Sequence, residues 1–161
     1  MANYTGANVI TTSDVLKYQP DAFSFGISTT ATETTNFLAQ TTNDILRQLR
    51  IEWWPVYKTN VFTDITVLNT AEMVDTKVNL DQFERAGVYL FLSRFYLPAL
   101  SKFRPETEKD RFERMAEHYA SEYNKEWRSI LEDGVEYDSD ASGTIAVNEK
   151  EPLHGLRRLN R

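Results

Sequence analysis

Residues 138 to 149 read DSDASGTIAVNE, and their types and spacing suit one kind of chemistry: holding a hard divalent cation. Asp stands at the first and third positions, Ser at the fifth, Gly at the sixth, Ile at the eighth and Glu at the twelfth. That is the spacing of an EF-hand calcium loop. Asp138, Asp140 and Ser142 would offer side-chain oxygens, Thr144 its carbonyl and Glu149 a bidentate carboxylate, while Gly143 permits the sharp turn. The same residue types also build a turn held by its own Asx-type hydrogen bonds, with no cation involved.

The flanks decide how much weight the loop carries. An EF-hand loop sits between two helices. Here Gly134 is placed to end the entering helix before Asp138, and Pro152 forbids a long exiting helix soon after Glu149. There is no second loop of this kind to pair with it. The expectation is a clip that stiffens the turn between a long helix and the C-terminal segment. Ca2+ at 138–149 is an option, and no cofactor is required.

Other chemistry is sparse. The two histidines are His118 and His154. Glu122 follows His118 by one helical turn, but the di-iron helical motif wants Glu three residues before His, where Met115 stands. A surface or interface histidine is the expectation. No Gly-rich phosphate loop, G-x-S-x-G or H-E-x-x-H occurs. With no cysteine, thiolate metal sites, thiolate nucleophiles and disulfides are excluded. The chain is not expected to be an enzyme.

Helices must position these residues. "TATE", residues 30–33, reads as a capping box, and Phe37, Leu38, Ile45, Leu46 and Leu49 then share a broad apolar face up to Trp53, Trp54 and Pro55. A second helix is predicted from Asn79, with Gln82 at its third position; Leu80, Phe83, Leu90, Phe91, Phe95, Tyr96 and Leu97 make it apolar on more than one side. Pro98 should kink or end it. A third runs from near Pro105 to a Gly134 cap, with Phe112, Met115, Ala116, Tyr119, Tyr123, Trp127, Ile130 and Leu131 at spacings of three and four. The β-branched and aromatic stretch between the first two helices, residues 53–78, reads as a short β-hairpin or an extended excursion. A helical turn at "TTSDVLKY" would be capped by Thr12 or Ser13.

The predicted fold is mainly α: a small helical bundle with extended N- and C-terminal arms. The domain divisions are an N-terminal arm 1–29, a helical core 30–134, and an Asp-rich turn with a C-terminal docking arm 135–161. The chain has 161 residues, 41% hydrophobic and 26% charged, with a net charge of −6, so general nucleic-acid affinity is not expected. The N-terminus lacks the basic and apolar regions of a signal peptide, and no apolar run approaches the ~20 residues of a membrane span. Trp53, Trp54, Tyr57 and Phe62 either cover the bundle's ends or anchor a protein–protein contact.

The order of parts is similar to that of the head–tail connector proteins of tailed bacteriophages, also called adaptor or head-completion proteins. A polar N-terminal segment leads to "ETTNFLAQTTNDILRQL", then to an irregular stretch containing "EWWP". Next come "FERAGVYLFLSRFYLPAL", a long helix ending "RSILEDGVEYD", the Asp-rich "GVEYDSDASGTIAVNEK" and a basic "RRLNR". The resemblance spans nearly the whole chain and is one of pattern; a well-formed metal loop is not a feature of every such protein.

The resemblance implies a subunit of a homo-oligomeric ring, commonly dodecameric, in the neck of the virion between head and tail, assembled in the host cytoplasm. Portal docking would fall to Leu153, Leu156, Arg157, Arg158, Leu159 and Arg161. Trp53, Trp54, Tyr57 and Phe62 would lie at subunit or tail contacts. The implied partners are the portal protein, a tail or neck protein and DNA passing through the channel unread, with no membrane. The competing expectation is a single EF-hand-like calcium-binding regulatory module.

Overall fold

A computed structural model describes residues 8–101 and 110–152. The chain is mainly α. Seven α-helices are found among the described residues: α1 (Thr12–Tyr18), α2 (Thr32–Glu52), α3 (Trp54–Val61), α4 (Ile65–Thr70), α5 (Glu84–Leu90), α6 (Leu97–Leu100) and α7 (Arg111–Asp133). A π-helical turn, Phe91–Tyr96, joins α5 to α6. Two two-residue strands, β1 (Val135–Glu136) and β2 (Lys150–Glu151), pair antiparallel. Two compact units emerge, and they cut across the divisions expected from sequence. Their described residues are 8–43 with 83–101 and 110–127, and 44–82 with 128–152.

In the first unit, the segment expected as an N-terminal arm supplies core. Val9, Ile10, Val15 and Ala22 are buried. The Val9 N–H donates to Thr42 Oγ1 at 2.9 Å, and the Tyr96 hydroxyl lies 2.8 Å from the carbonyls of both Ala22 and Ile27. The cap of α1 is Thr11 rather than Thr12 or Ser13, because Asp14 reaches back to the Thr11 N–H and hydroxyl at 2.8 and 2.7 Å. Helix α2 begins at Thr32, two residues after the expected cap. The helical run from α5 through the π turn to α6 ends at Leu100, with Pro98 in the first turn of α6. Pro98 thus sits inside the run, two residues past the π turn, and the helix ends within two residues of it. The predicted start of the third helix at Pro105 lies outside the described residues.

In the second unit, the stretch 53–78 carries two short helices, α3 and α4, joined by short extended links, where a hairpin or an extended excursion was the expectation. Pro55 does not merely end α2; its fixed φ suits the first turn of α3. The Asp64 carboxylate caps α4 by accepting from the Thr66 N–H at 2.8 Å. The Thr59 and Thr70 hydroxyls bond back one turn, to the Pro55 carbonyl at 2.7 Å and that of Thr66 at 2.9 Å, a pattern that helices tolerate without being made by it. The Pro55 start and the Asp64 cap, with tertiary context, outweigh strand propensity here.

Helix α7 ends where the sequence predicts, with Gly134 at φ +112° and its N–H on the Ile130 carbonyl at 2.9 Å. Beyond it, residues 77–79, 136–138 and 149–151 form a three-ply ladder. Asp138 N–H donates to the Lys77 carbonyl at 2.8 Å, Asn79 N–H to that of Glu136 at 3.0 Å, and Tyr137 N–H to that of Glu149 at 3.1 Å. Gln82 was expected to cap a helix. Instead it fastens this ladder, donating to the Gly134 carbonyl at 2.6 Å and accepting from the Glu136 N–H at 3.0 Å.

Candidate functional site

The ladder fixes both ends of the 138–149 loop. Asp138 leaves it at one strand and Glu149 re-enters at the next, so the first and twelfth residues meet. Both are buried, at 4% and 3% exposure, whereas Asp140 is exposed. One carboxylate oxygen from each of Asp138, Asp140 and Glu149 lies within 4.8 Å of the others. The sequence spacing therefore brings three of the five predicted ligands together.

What those carboxylates do is hold backbone. Asp138 Oδ1 accepts from the Ser142 N–H at 2.9 Å and Oδ2 from the Gly143 N–H at 2.8 Å. Asp140 Oδ1 also accepts from Ser142 N–H at 2.9 Å. Glu149 Oε1 accepts from the Ser139 N–H and hydroxyl, both at 2.7 Å, and Oε2 from the Ala146 N–H at 2.9 Å. Ser142 Oγ donates to the Thr144 carbonyl at 3.0 Å, so the other two predicted ligands engage each other. The Ala146 N–H and the Ser139 side chain hold the Glu149 carboxyl below the usual glutamate range. Ser142, through side-chain and backbone bonds, lowers Asp140.

The flanks are not those of an EF-hand. A helix ends at Asp133, but two-residue strands frame the loop, and a single 3-10 turn, Val147–Glu149, precedes β2. Among the described residues, no helix pair stands at the loop that a cation could open. Asp138 Oδ1 and Oδ2 and Glu149 Oε2 each accept one of these bonds and keep a second lone pair, which is the chemistry an oxygen-liganded cation would use. The loop's present chemistry is that of a turn fastened by two buried carboxylates.

The predicted contact aromatics divide. Trp53, Trp54 and Tyr57 are buried at 1%, 7% and 4% exposure. With Tyr137 they form one cluster, ring centroids 4.6 Å apart for Trp53–Tyr57 and 5.3 to 5.7 Å from Tyr137 to the other three rings. The Trp54 indole N–H donates to the Ala71 carbonyl at 3.2 Å. Of the two alternatives, burial within the chain is what these three show, because Tyr137, brought in by the ladder, completes a stack that no local pattern displays. Phe62 is half-buried at the cluster's edge, 6.5 Å from both Trp54 and Tyr57.

The surface that sequence reasoning missed lies next to that cluster. None of the six residues of α4 is buried among the described residues. Ile65 is 72% exposed, and Val61 and Val67 are each 42% exposed. The only local signal was apolar β-branched density, which had pointed to strand. Leu153, Leu156, Arg157, Arg158, Leu159 and Arg161, the predicted docking residues, lie outside the described residues, as does His154; His118 is exposed on α7.

Comparison with protein-family models, with curated proteins and with solved structures finds no match to the chain. Among the described residues no helix is long and apolar enough to cross a membrane.

Proposed function

We propose that this chain is a structural subunit of a tailed-phage neck ring. It would dock on the portal, extend the DNA channel and offer an attachment surface to tail components. The observation that carries the reading is α4: a helix that exposes Ile65 and Val67 and buries none of its residues among those described. A partner's surface would cover such apolar side chains in the assembly. The order of parts in the sequence supplies the kind of assembly. The net charge of −6 suits a channel through which DNA slides without being held. In this reading the chain performs no catalysis, and the virion neck is its place.

The 138–149 loop acts as a clip on the path to the C-terminal segment. Its acceptors are met by its own N–H groups, so its shape does not depend on a cation. The runner-up, a calcium-binding regulatory module, draws on the three carboxylates within 4.8 Å of one another, but such a module also needs a helix pair to open.

The deciding experiment is negative-stain electron microscopy of the chain mixed with the portal ring encoded beside it, with and without chelator. An added ring layer on the portal under both conditions is expected. No layer under either condition would sink the ring reading. A layer lost in chelator would make the loop a cation-dependent joint rather than a self-sufficient clip. Calorimetry showing heat and a helical rearrangement at millimolar calcium would favour the regulatory module instead.

A further inference from the structure

We infer that residues 8–27 form an exchangeable strap, which leaves its own chain and docks in the same seat on a second copy. The inference goes beyond the neck reading: it needs no portal, only another copy of the chain. Strap and seat both belong to the described residues of the first unit. The strap is locally built. Its backbone hydrogen bonds join near neighbours: the Gln19 N–H to the Val15 carbonyl at 2.9 Å, Ala22 to Gln19 at 3.0 Å and Ser24 to Asp21 at 3.0 Å. Among the described residues, no backbone–backbone hydrogen bond joins 8–27 to the rest of the unit. Side chains make the attachment instead. The Val9 N–H reaches Thr42 Oγ1 at 2.9 Å, Lys17 Nζ reaches Glu84 at 3.2 Å, and the Tyr119 hydroxyl donates to Gln19 Oε1 at 2.7 Å. The Tyr96 hydroxyl latches two carbonyls, Ala22 and Ile27, and its single proton serves one at a time. A segment held in this way leaves without breaking its own backbone bonds, whereas a strand must give up its ladder.

The seat must be refilled once the strap has left. Val9, Ile10, Val15 and Ala22 are buried, and Phe23 lies beside the fully buried rings of Phe91 and Tyr96, with centroids 6.5 and 5.3 Å away. An empty seat would bare those rings to water and lose their apolar burial. The strap of a second copy has the shape and chemistry that the seat already accepts. The join to α2 is slight. Ser28, Thr29 and Thr30 are exposed. Among the described residues, their backbone is tied only through the Ser28 carbonyl, which accepts from the Ala31 N–H at 3.2 Å and the Thr34 hydroxyl at 2.7 Å. Gly26 stands just ahead at φ +144°, where glycine turns without strain. The four residues 28–31 reach about 13 Å when extended, and a short join of this kind invites exchange between copies. Closed and exchanged forms hold the same contacts, so the join and the concentration decide between them. A strap on a short tether acts at an effective concentration on the order of 1 mM, which copies held side by side in an assembly match. Passed on head to tail, the exchange closes a ring.

The chain's lack of cysteine makes the test clean. Lys17→Cys is made in one full chain and Glu84→Cys in another, so a short bismaleimide finds one thiol on each. A chain carrying both substitutions, crosslinked to itself when dilute, shows that the reagent spans the gap. The two single variants are mixed at about millimolar concentration, held just below the melting midpoint, cooled and then crosslinked. A covalent dimer joining position 17 of one chain to position 84 of the other is expected, outnumbering the 17–17 and 84–84 dimers and rising with concentration. Tyr96→Phe, added to both chains, removes the latch hydroxyl and keeps the ring. The 17–84 dimer should then form about tenfold faster, the factor given by some 1.4 kcal/mol of lost bonding. Its final yield should not change, because closed and exchanged forms lose the same bonds. Absence of the 17–84 dimer would overturn the proposal, as would equal yields of all three dimers, the mark of chance encounter. A rate indifferent to Tyr96→Phe would overturn it too, since the strap would not be leaving through this latch.

Discussion

Residues 53–57 and residues 65–70 lie close in sequence and both carry large apolar side chains, yet one stretch is largely core and the other is surface. Trp53, Trp54 and Tyr57 stack with Tyr137 and are almost wholly buried. Ile65 and Val67 on α4 have no such closure and stay open to solvent. The difference lies in partners, not in residue type. A ring becomes core when another element supplies a ring to cover it; an aliphatic helix turn stays exposed when, among the described residues, none does.

The contrast breaks most sharply on substitution. Trp53→Ala should cost about 3–5 kcal/mol, seen as a large drop in urea midpoint; a drop below about 1 kcal/mol would mean the aromatic cluster is not core.

The clip offers a polar counterpart to the aromatic closure. Glu149→Gln removes a charged acceptor from the Ser139 and Ala146 donors and should cost about 2 kcal/mol, measured by thermal melting. The same bonds give a pH dependence. The folded Glu149 carboxyl is lowered, so its contribution is complete above the ordinary carboxylate range and is lost as pH falls through that range toward the lowered value. Wild-type stability should fall on acidification, and Glu149→Gln should flatten that fall. Equal slopes for the two chains would show that Glu149 does not hold the loop.

Two smaller effects sharpen the picture. Tyr137→Phe keeps the stack and loses only the bond from the Val74 N–H at 3.2 Å, so about 1 kcal/mol is expected. A cost comparable with Trp53→Ala would mean the hydroxyl, not the ring stack, organises the cluster. Smallest of all, Ile65→Asp should change stability by no more than about 0.5 kcal/mol while weakening self-association in sedimentation. A clear loss of stability would place Ile65 in a core and erase the contrast between the two stretches.

Much of this was open to a reader of the chain. The apolar spacing in α2 and α7 and the Gly134 stop required no partner to be recognised, because a helix face and a left-handed cap are local features. The loop was legible as well: a twelve-residue spacing of Asp, Ser, Gly and Glu limits which oxygens can meet. The membership of residues 8–29 was hidden, since Val9 finds Thr42, and Ala22 and Ile27 find Tyr96 some seventy positions away. Capping at Thr11 and the back-bonding of Thr59 and Thr70 turn on single hydrogen bonds that composition does not reveal.

By itself, then, the amino-acid sequence determined a mainly helical chain, the stop of its last long helix, and a turn rich in acidic oxygens. These follow from local periodicity, backbone freedom at glycine and the donors within a few residues. Only the tertiary structure decided that the tryptophans are core, that the loop's carboxylates fasten its own backbone, and that α4 is left open. Each of those depends on which distant groups arrive to satisfy a ring, an oxygen or an apolar face. Pairing across the ladder supplies Tyr137 and Glu149 and, among the described residues, supplies nothing over Ile65.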